Sequence, residues 1–463
     1  MKKKSVVFLM GFIIVVSGGW HMRSDSLAQP KEGVLDVWTT WAEDSGQLQA
    51  LLDRYSQLSG MPVKVKTGVK GVKVTKAMAG STPPDIVILS TGDPVQFYAE
   101  QGLVEPLDPW IETTGIDMDD FYPAALAQCE TPDGTTLCLP WGCDVYALFW
   151  NKDLFQAAGL DPERPPQTME ELVEYADRLT VRDEEGGLSQ MGFIPDFSRS
   201  HTDLYAHMFG GSWTNDDGTE LAANSEPMID AVNWQRQLYE KVGTQDVVAL
   251  ASSVNRYMNS DHPIYAGRRL SCQQCHRNPP RKANPDHGFY DGKVAMMVGG
   301  QWQVWPNHSS RFQPGLNYGV APFPPPAGHP ERASSTVVEG AVVVVSAGVK
   351  DKEAAASLLA WMMSPEIMAQ AMVARASLPA RRTAAEDPRF LNMPDWELFM
   401  DLMAHPNTKH VVTTSISPEL NGSLNRVEEE LLHNGGDPAL LLDALQSELA
   451  PRLKETSRYH AKP

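Results

Sequence analysis

One run constrains this chain more than any other: Cys138-Leu-Pro-Trp-Gly-Cys-Asp-Val-Tyr-Ala-Leu-Phe-Trp-Asn151. Asp144, Tyr146, Leu148 and Trp150 alternate with Cys143, Val145, Ala147 and Phe149, the two-residue period of a β-strand. A Pro-Trp-Gly break opens the strand, and a helix signal, Asn151-Lys-Asp-Leu-Phe, follows it directly. Such a strand is expected to cross between two lobes, with Asp144, the one charge among its aromatics, facing the cleft. The plainer reading is a buried strand with Asp144 at its wet end.

A chain of 463 residues exceeds one hydrophobic core, so two or three domains are expected. The formal charge of −19 argues against nucleic acid and anionic membranes as partners and is compatible with a small neutral or cationic ligand. Lys2, Lys3 and Lys4, an apolar run over 6–16, and Ser26-Leu-Ala28 make residues 1–28 an export signal or an uncleaved anchor. No second long apolar run follows. The expected location is the periplasm or the outer face of the cytoplasmic membrane.

Disulfides are permissible in an exported chain. Cys129 and Cys138 flank Pro132-Asp-Gly134, a turn signal, so they are expected to meet across a hairpin and pair. Cys143 is then left over as a small buried hydrophobe.

Strand and helix patterns alternate from residue 33 to 102: strands at 33–39, 62–66 and 84–90, each followed by a helix. This is the signature of an α/β fold with a mainly parallel sheet, in which ligands bind at the carboxyl ends of strands. Trp38 to Trp41 and Ser90, Thr91 and Asp93 occupy such loops. Trp141, Trp213 and Trp302 also fall on loops. Flat aromatics flanked by carboxylates and amides suit the C–H faces and hydroxyls of a sugar. Glu339, charged within the apolar run 337–345, is either a cleft acceptor or a solvated strand end.

The order of motifs resembles the family 1 extracellular solute-binding proteins of ABC importers, the group containing the maltose-binding protein. Its marks are Trp38 after the first strand, Pro84-Asp-Ile-Val, Gly102-Leu-Val-Glu-Pro-Leu, Leu139-Pro-Trp, and Phe149-Trp-Asn-Lys-Asp-Leu-Phe155. Gly292-Lys-Val-Ala-Met-Met, Gly299-Gly-Gln-Trp302 and the strand and helix over 342–360 complete them. The resemblance implies a two-lobed periplasmic-binding-protein type II fold that closes on its ligand by a hinge. Lobe one would hold 33–143 plus 324–376, and lobe two 147–321 plus 379–455. Crossings are expected near 143–146, 322–326 and 377–379. By the same resemblance Trp302 stacks on a sugar ring, Asp144 bonds sugar hydroxyls, and Ser90 to Asp93 lend polar contacts. A membrane permease is the implied partner, and the protein is expected to act as a monomer.

Leu270-Ser-Cys-Gln-Gln-Cys-His276 stands outside that pattern. Asp261-His-Pro-Ile-Tyr-Ala-Gly-Arg268 is echoed by Asp286-His-Gly-Phe-Tyr-Asp-Gly-Lys293, so 269–285 reads as an inserted loop. Cys272, Cys275 and His276 form the Cys-x-x-Cys-His motif of c-type haem attachment. The same residues also suit a local disulfide, a zinc site completed by His287, or a reactive redox pair. No Ser/His/Asp set, phosphate loop or paired-carboxylate motif stands out to argue for an enzyme. The expected function is capture of a sugar or oligosaccharide for an importer, with no cofactor required. The rival is a redox or sensor protein on the same scaffold, carrying haem or a redox-active cysteine pair.

Overall fold

The computed structural model describes residues 33–41, 45–69, 71–196, 201–215, 218–250, 288–303, 315–411 and 413–460. Its strands, in chain order, are β1 (Leu35–Thr39), β2 (Val63–Lys66), β3 (Ile86–Leu89), β4 (Leu139–Asn151), β5 (Val181–Arg182), β6 (Leu188–Phe193), β7 (Val294–Gly300), β8 (Tyr318–Ala321), β9 (Val337–Val345), β10 (Leu378–Pro379) and β11 (Lys409–His410). They join along one path, β2-β1-β3-β9-β4-β7-β6-β5, with β10 and β8 also on β4 and β11 on β9. Helices cover the path, giving the mixed α/β architecture expected from the alternation.

The expectation of a mainly parallel sheet needs correction. Parallel pairing holds for β2-β1-β3, for β6 with β7 and for β11 with β9. The centre is antiparallel: β9 runs against β3 and β4, and β4 runs against β7, β8 and β10. The cause is β4 itself. Its first half, Leu139 to Val145, pairs with β9, and its second half, Tyr146 to Asn151, pairs with β7 and β8. Both halves are flanked by antiparallel partners, which makes the centre antiparallel.

The period-two reading of β4 holds side chain by side chain. Leu139, Trp141, Cys143, Val145, Ala147 and Phe149 enter one apolar cluster. Tyr146, Leu148 and Trp150 enter a second on the opposite face. Ile86, Val87, Ile88 and Val342 to Val345 are at most 2% exposed, as their continuous apolar runs anticipate. Each such side chain contributes about 1.5–3 kcal/mol relative to exposure. In the helix Ser45–Ser59, Leu48, Leu51, Leu52 and Tyr55 are buried as expected, whereas Leu58 is exposed. The helix Met169–Leu179 begins at Thr168, whose hydroxyl accepts from the Glu171 N–H, while the Glu171 carboxylate reaches the Gln167 N–H rather than Thr168.

Of the three expected passages, β4 lies where the sequence placed it. At Ser377 to Pro379, β10 pairs with Gly142 and Cys143, but the chain beyond stays bonded to Asp120, Tyr122 and Met363. The passage expected at 322–326 is not made there. Pro325 accepts from the Met169 N–H, Ala327 donates to Glu170, and Ser335 meets His207, so 322–336 stays against the β6-side helices. The return is made by β9, which pairs with Val145 at Val338 and with β3 from Val342 onward. Pro324, Pro325 and Pro326 are buried along this connection, and a ladder-forming strand does the crossing.

Candidate functional site

Asp144 and Glu339 are register partners across β4 and β9, at the point where both strands pass between the sheets. Directly opposed residues share a face, with Cβ atoms about 4.5–5.5 Å apart. Gly340 makes the approach feasible, since a Cβ there would lie 2.2 Å from the Gly142 carbonyl oxygen. Both carboxyls are half-buried. Asp144 Oδ1 accepts from Gln301 Nε2 at 2.5 Å and from Ser377 Oγ at 3.1 Å. Burial, offset in part by Arg375 and reinforced by Glu339, lifts the Asp144 carboxyl to about 6. The Tyr146 hydroxyl donates to Glu339.

Aromatic rings wall this acidic pair. Trp302 stands edge-on to Tyr146, with centroids 5.8 Å apart and planes at 86°, and His201 lies 5.3 Å from Tyr146 on the same face. The Trp302 ring folds back over Gly300, where any side chain would collide with it. Gly300, directly ahead of Gln301, is thus a seat for that indole, while Gly299 makes room for Gln303 and Phe149.

A cavity of about 230 Å³ is lined by Thr39, Trp41, Trp141, Gln370 and Arg375 among others and touches neither Asp144 nor Glu339; Arg375, whose charge acts on Asp144, links the two. Trp41 and Trp141 stack at 6.5 Å and 23°, and Trp141 Nε1 is anchored on the Met362 carbonyl at 3.1 Å. The Arg375 guanidinium lies over the Trp41 ring, 2.9 Å from its centroid. Arg375 ends the helix Pro365–Arg375, which closes because Ala376 takes a left-handed φ of 57°. The site therefore offers flat apolar faces, one cation and two acceptors that withstand partial burial. This suits a ligand carrying many hydroxyls on a C–H framework.

The structure brings Trp41, Asp144, Trp302 and Glu339 to this region; Trp141 lines the cavity wall but is 1% exposed, a core side chain. Two of the expected ligand residues are elsewhere. Trp38 points to the other face of β1 from Thr39, packs on a separate apolar cluster and carries Lys66 Nζ 3.9 Å from its ring centroid. Trp213 is 4% exposed within the β4–β7 core; its turn tucks the indole inward. Ser90, Thr91 and Asp93 are half-buried at the end of β3, where the Ser90 N–H donates to Thr40 Oγ1 at 2.9 Å. Gln301, Arg375, Tyr146 and Ser377 were not anticipated. Tyr146 shares the parity of Asp144 and was within reach of the period-two argument. The others depend on contacts between distant segments.

Cys129 and Cys138 are buried free thiols in mutual contact, so the bond expected across the hairpin is not formed here. Cys143 is buried and unbonded as expected. Cys272, Cys275 and His276, with the loop 269–285 and the segment 1–28, lie outside the described residues. Among the described residues no cluster of His, Cys, Asp and Glu is arranged to hold a metal ion, and no helix is long and apolar enough to cross a membrane.

A sequence model of the bacterial extracellular solute-binding proteins matches residues 50–397. The sn-glycerol-3-phosphate-binding periplasmic protein UgpB of Brucella abortus (strain 2308) is 27% identical over 288 residues, 60% of this chain and 56% of that protein. The chain thus matches little more than half the length of that relative. Among solved structures, CpMnBP1 with mannobiose bound superposes with a TM-score of 0.73 at 25% identity, covering 90% of this chain and 100% of that one. The sugar-binding protein MalE from Xanthomonas citri gives a TM-score of 0.70 at 18% identity, covering 93% and 100%, a likeness of fold.

Proposed function

The chain belongs to the bacterial extracellular solute-binding proteins, and from that premise we propose that it captures a sugar, oligosaccharide or related polyol for an ABC importer. One observation carries the reading: the acceptor pair Asp144 and Glu339 lies under the Trp302–Tyr146 wall, on the two strands that cross between the sheets. Hydroxyls bond the carboxylates, a C–H face stacks on the indole, and Arg375 over Trp41 caps the far side. The two sheets with their helices act as lobes, 33–143 with the part of 324–376 from β9's crossing onward, and 147–321 with the connection up to 336 and the C-terminal helices, and bend at the passages. Ligand contacts made only when the lobes close favour the closed state, and a membrane permease receives the solute. Residues 1–28 direct export, and the protein works as a monomer. Binding and release suffice, with no covalent step.

Thermal-shift and calorimetric titration against mono- and oligosaccharides, ribitol and sn-glycerol 3-phosphate tests the proposal. A rise in melting temperature with at least one polyhydroxylated solute is expected, abolished by Trp302→Ala. Stabilisation only by a peptide, a polyamine or a metal ion would overturn it.

A further inference from the structure

Gln301 is a side chain that ligand capture leaves unassigned, and it is fully buried. A carboxamide has two N–H donors and one carbonyl acceptor, and a buried amide is costly unless they are used. Gln301 uses both ends. Nε2 donates to Asp144 Oδ1 at 2.5 Å and to the Ala376 carbonyl at 3.1 Å. Oε1 accepts from the Val145 N–H at 3.4 Å.

These partners define the position. Asp144 and Val145 lie on the β4 passage, and Ala376 opens the segment through Ser377 to Pro379. Gln301 itself begins the short 3-10 turn Gln301–Gln303 that follows β7, and its chain neighbour is Trp302. Ser377 Oγ adds a second link between the two through Asp144. One amide thus joins the aromatic-bearing turn to the β4 passage and to the segment 376–379 that lies against it.

We propose that Gln301 is a positioning residue that couples the Trp302 turn to the bending of the β4 passage. This rests on the solute-binding reading above. Ligand pressing on Trp302 moves the turn, and the turn moves the β4 passage and the segment 376–379 together because the amide permits no independent slip. Without the amide, each moves separately and closure loses its coupling to the ligand.

The test uses the full chain with Gln301→Met, which keeps length while removing the amide, and Ser377→Ala, which removes only the second link. X-ray scattering of the ligand-free proteins reads lobe separation. Stopped-flow binding of mannobiose and of sn-glycerol 3-phosphate reads the rates. Gln301→Met is expected to broaden the distance distribution and to raise the off-rate by about tenfold while changing the on-rate little, since related complexes differ mostly in dissociation. Ser377→Ala should move both readouts the same way, by less. Scattering curves of both variants superimposable on the unsubstituted protein would overturn the proposal. So would a loss of binding that only follows the unfolded fraction measured by circular dichroism. If Gln301→Met does not fold, Ser377→Ala decides by the same two readouts. If neither probe binds the unsubstituted protein, the solute reading fails for those two compounds, and ligand-free scattering still decides the role of Gln301.

Discussion

Asp144 works against the stability of its own fold. Its carboxyl titrates near 6 rather than at the ordinary 3.8, first because it is buried and also because Glu339 faces it. Between those two values the folded chain binds more protons than the unfolded one, so stability rises as pH falls from about 6 toward 4, and the cost is fully present above 6. The displacement corresponds to at most about 3 kcal/mol. Asp144→Asn keeps an acceptor oxygen for Gln301 and Ser377 and removes the charge. It is therefore expected to melt higher than the unsubstituted protein at pH 7.5, to flatten the stability profile between pH 4 and 6, and to bind solute more weakly. A melting temperature at or below the original at pH 7.5 would contradict this account. Trp302 carries the complementary term. Trp302→Ala should weaken solute binding by at least about tenfold, or 1.4 kcal/mol, with Trp302→Phe retaining part of it; equal affinity in all three by calorimetry would remove the indole from the site. Asp144, Glu339 and Trp302 were legible because each interrupts or terminates an apolar pattern. Gln301 was not: its side chain gains meaning only from Asp144, 157 positions away, and no local pattern encodes that.

At the scale of elements, β4 could be read from alternation alone, because one face after another had to be apolar. Its partners could not. Alternation fixes which way side chains point and is silent on which strand lies alongside or in which direction, so the antiparallel centre and the crossing by β9 emerged only in three dimensions. Gly340 is where that pairing is most exacting, since an added Cβ would meet backbone atoms of Gly142 and Cys143 at 2.2 and 2.7 Å. Gly340→Ala is expected to cost about 1–3 kcal/mol through forced separation of the strands. Gly422→Ala, in the helix Ser417–His433 with open space around the new Cβ, should be stabilising by about 0.5–1 kcal/mol. Urea melts of the two variants check the contrast, and equal effects would mean that β4 and β9 are not held this tightly. The hairpin leading into β4 offers a second test. Cys129 and Cys138 share one apolar cluster, and the Leu137 N–H donates to the Cys129 carbonyl at 2.8 Å. Cys143 sits on the opposite face of β4. Treatment with a disulfide oxidant should join Cys129 to Cys138 and leave Cys143 as a thiol. Peptide mapping of the alkylated, unfolded protein reads the outcome, and a crosslink involving Cys143 would overturn it.

For the molecule as a whole, the proposed two-lobed reading asks what holds the lobes together across the cleft. Gln96, on the helix Val95–Glu100 that follows β3, donates to Thr413 Oγ1 at 3.4 Å. Thr413 precedes the helix Ser417–His433 on the far side. A neutral hydrogen bond this long and partly wet contributes at most about 0.5–1.5 kcal/mol net, and is too weak to fix a domain arrangement alone. On the proposed solute-binding reading, closure is then driven by the solute, and only to the extent that the solute binds the closed form better than the open one. Gln96→Ala should therefore lower solute affinity no more than about tenfold, leave the saturated scattering curve unchanged, and shift the ligand-free curve toward larger dimensions. Saturating solute, at a hundred times its Kd, should add about 2.7 kcal/mol to stability in both proteins. A Gln96→Ala protein that stays extended under saturating solute would show that the rim contact, rather than the Asp144, Glu339 and Trp302 floor, determines closure.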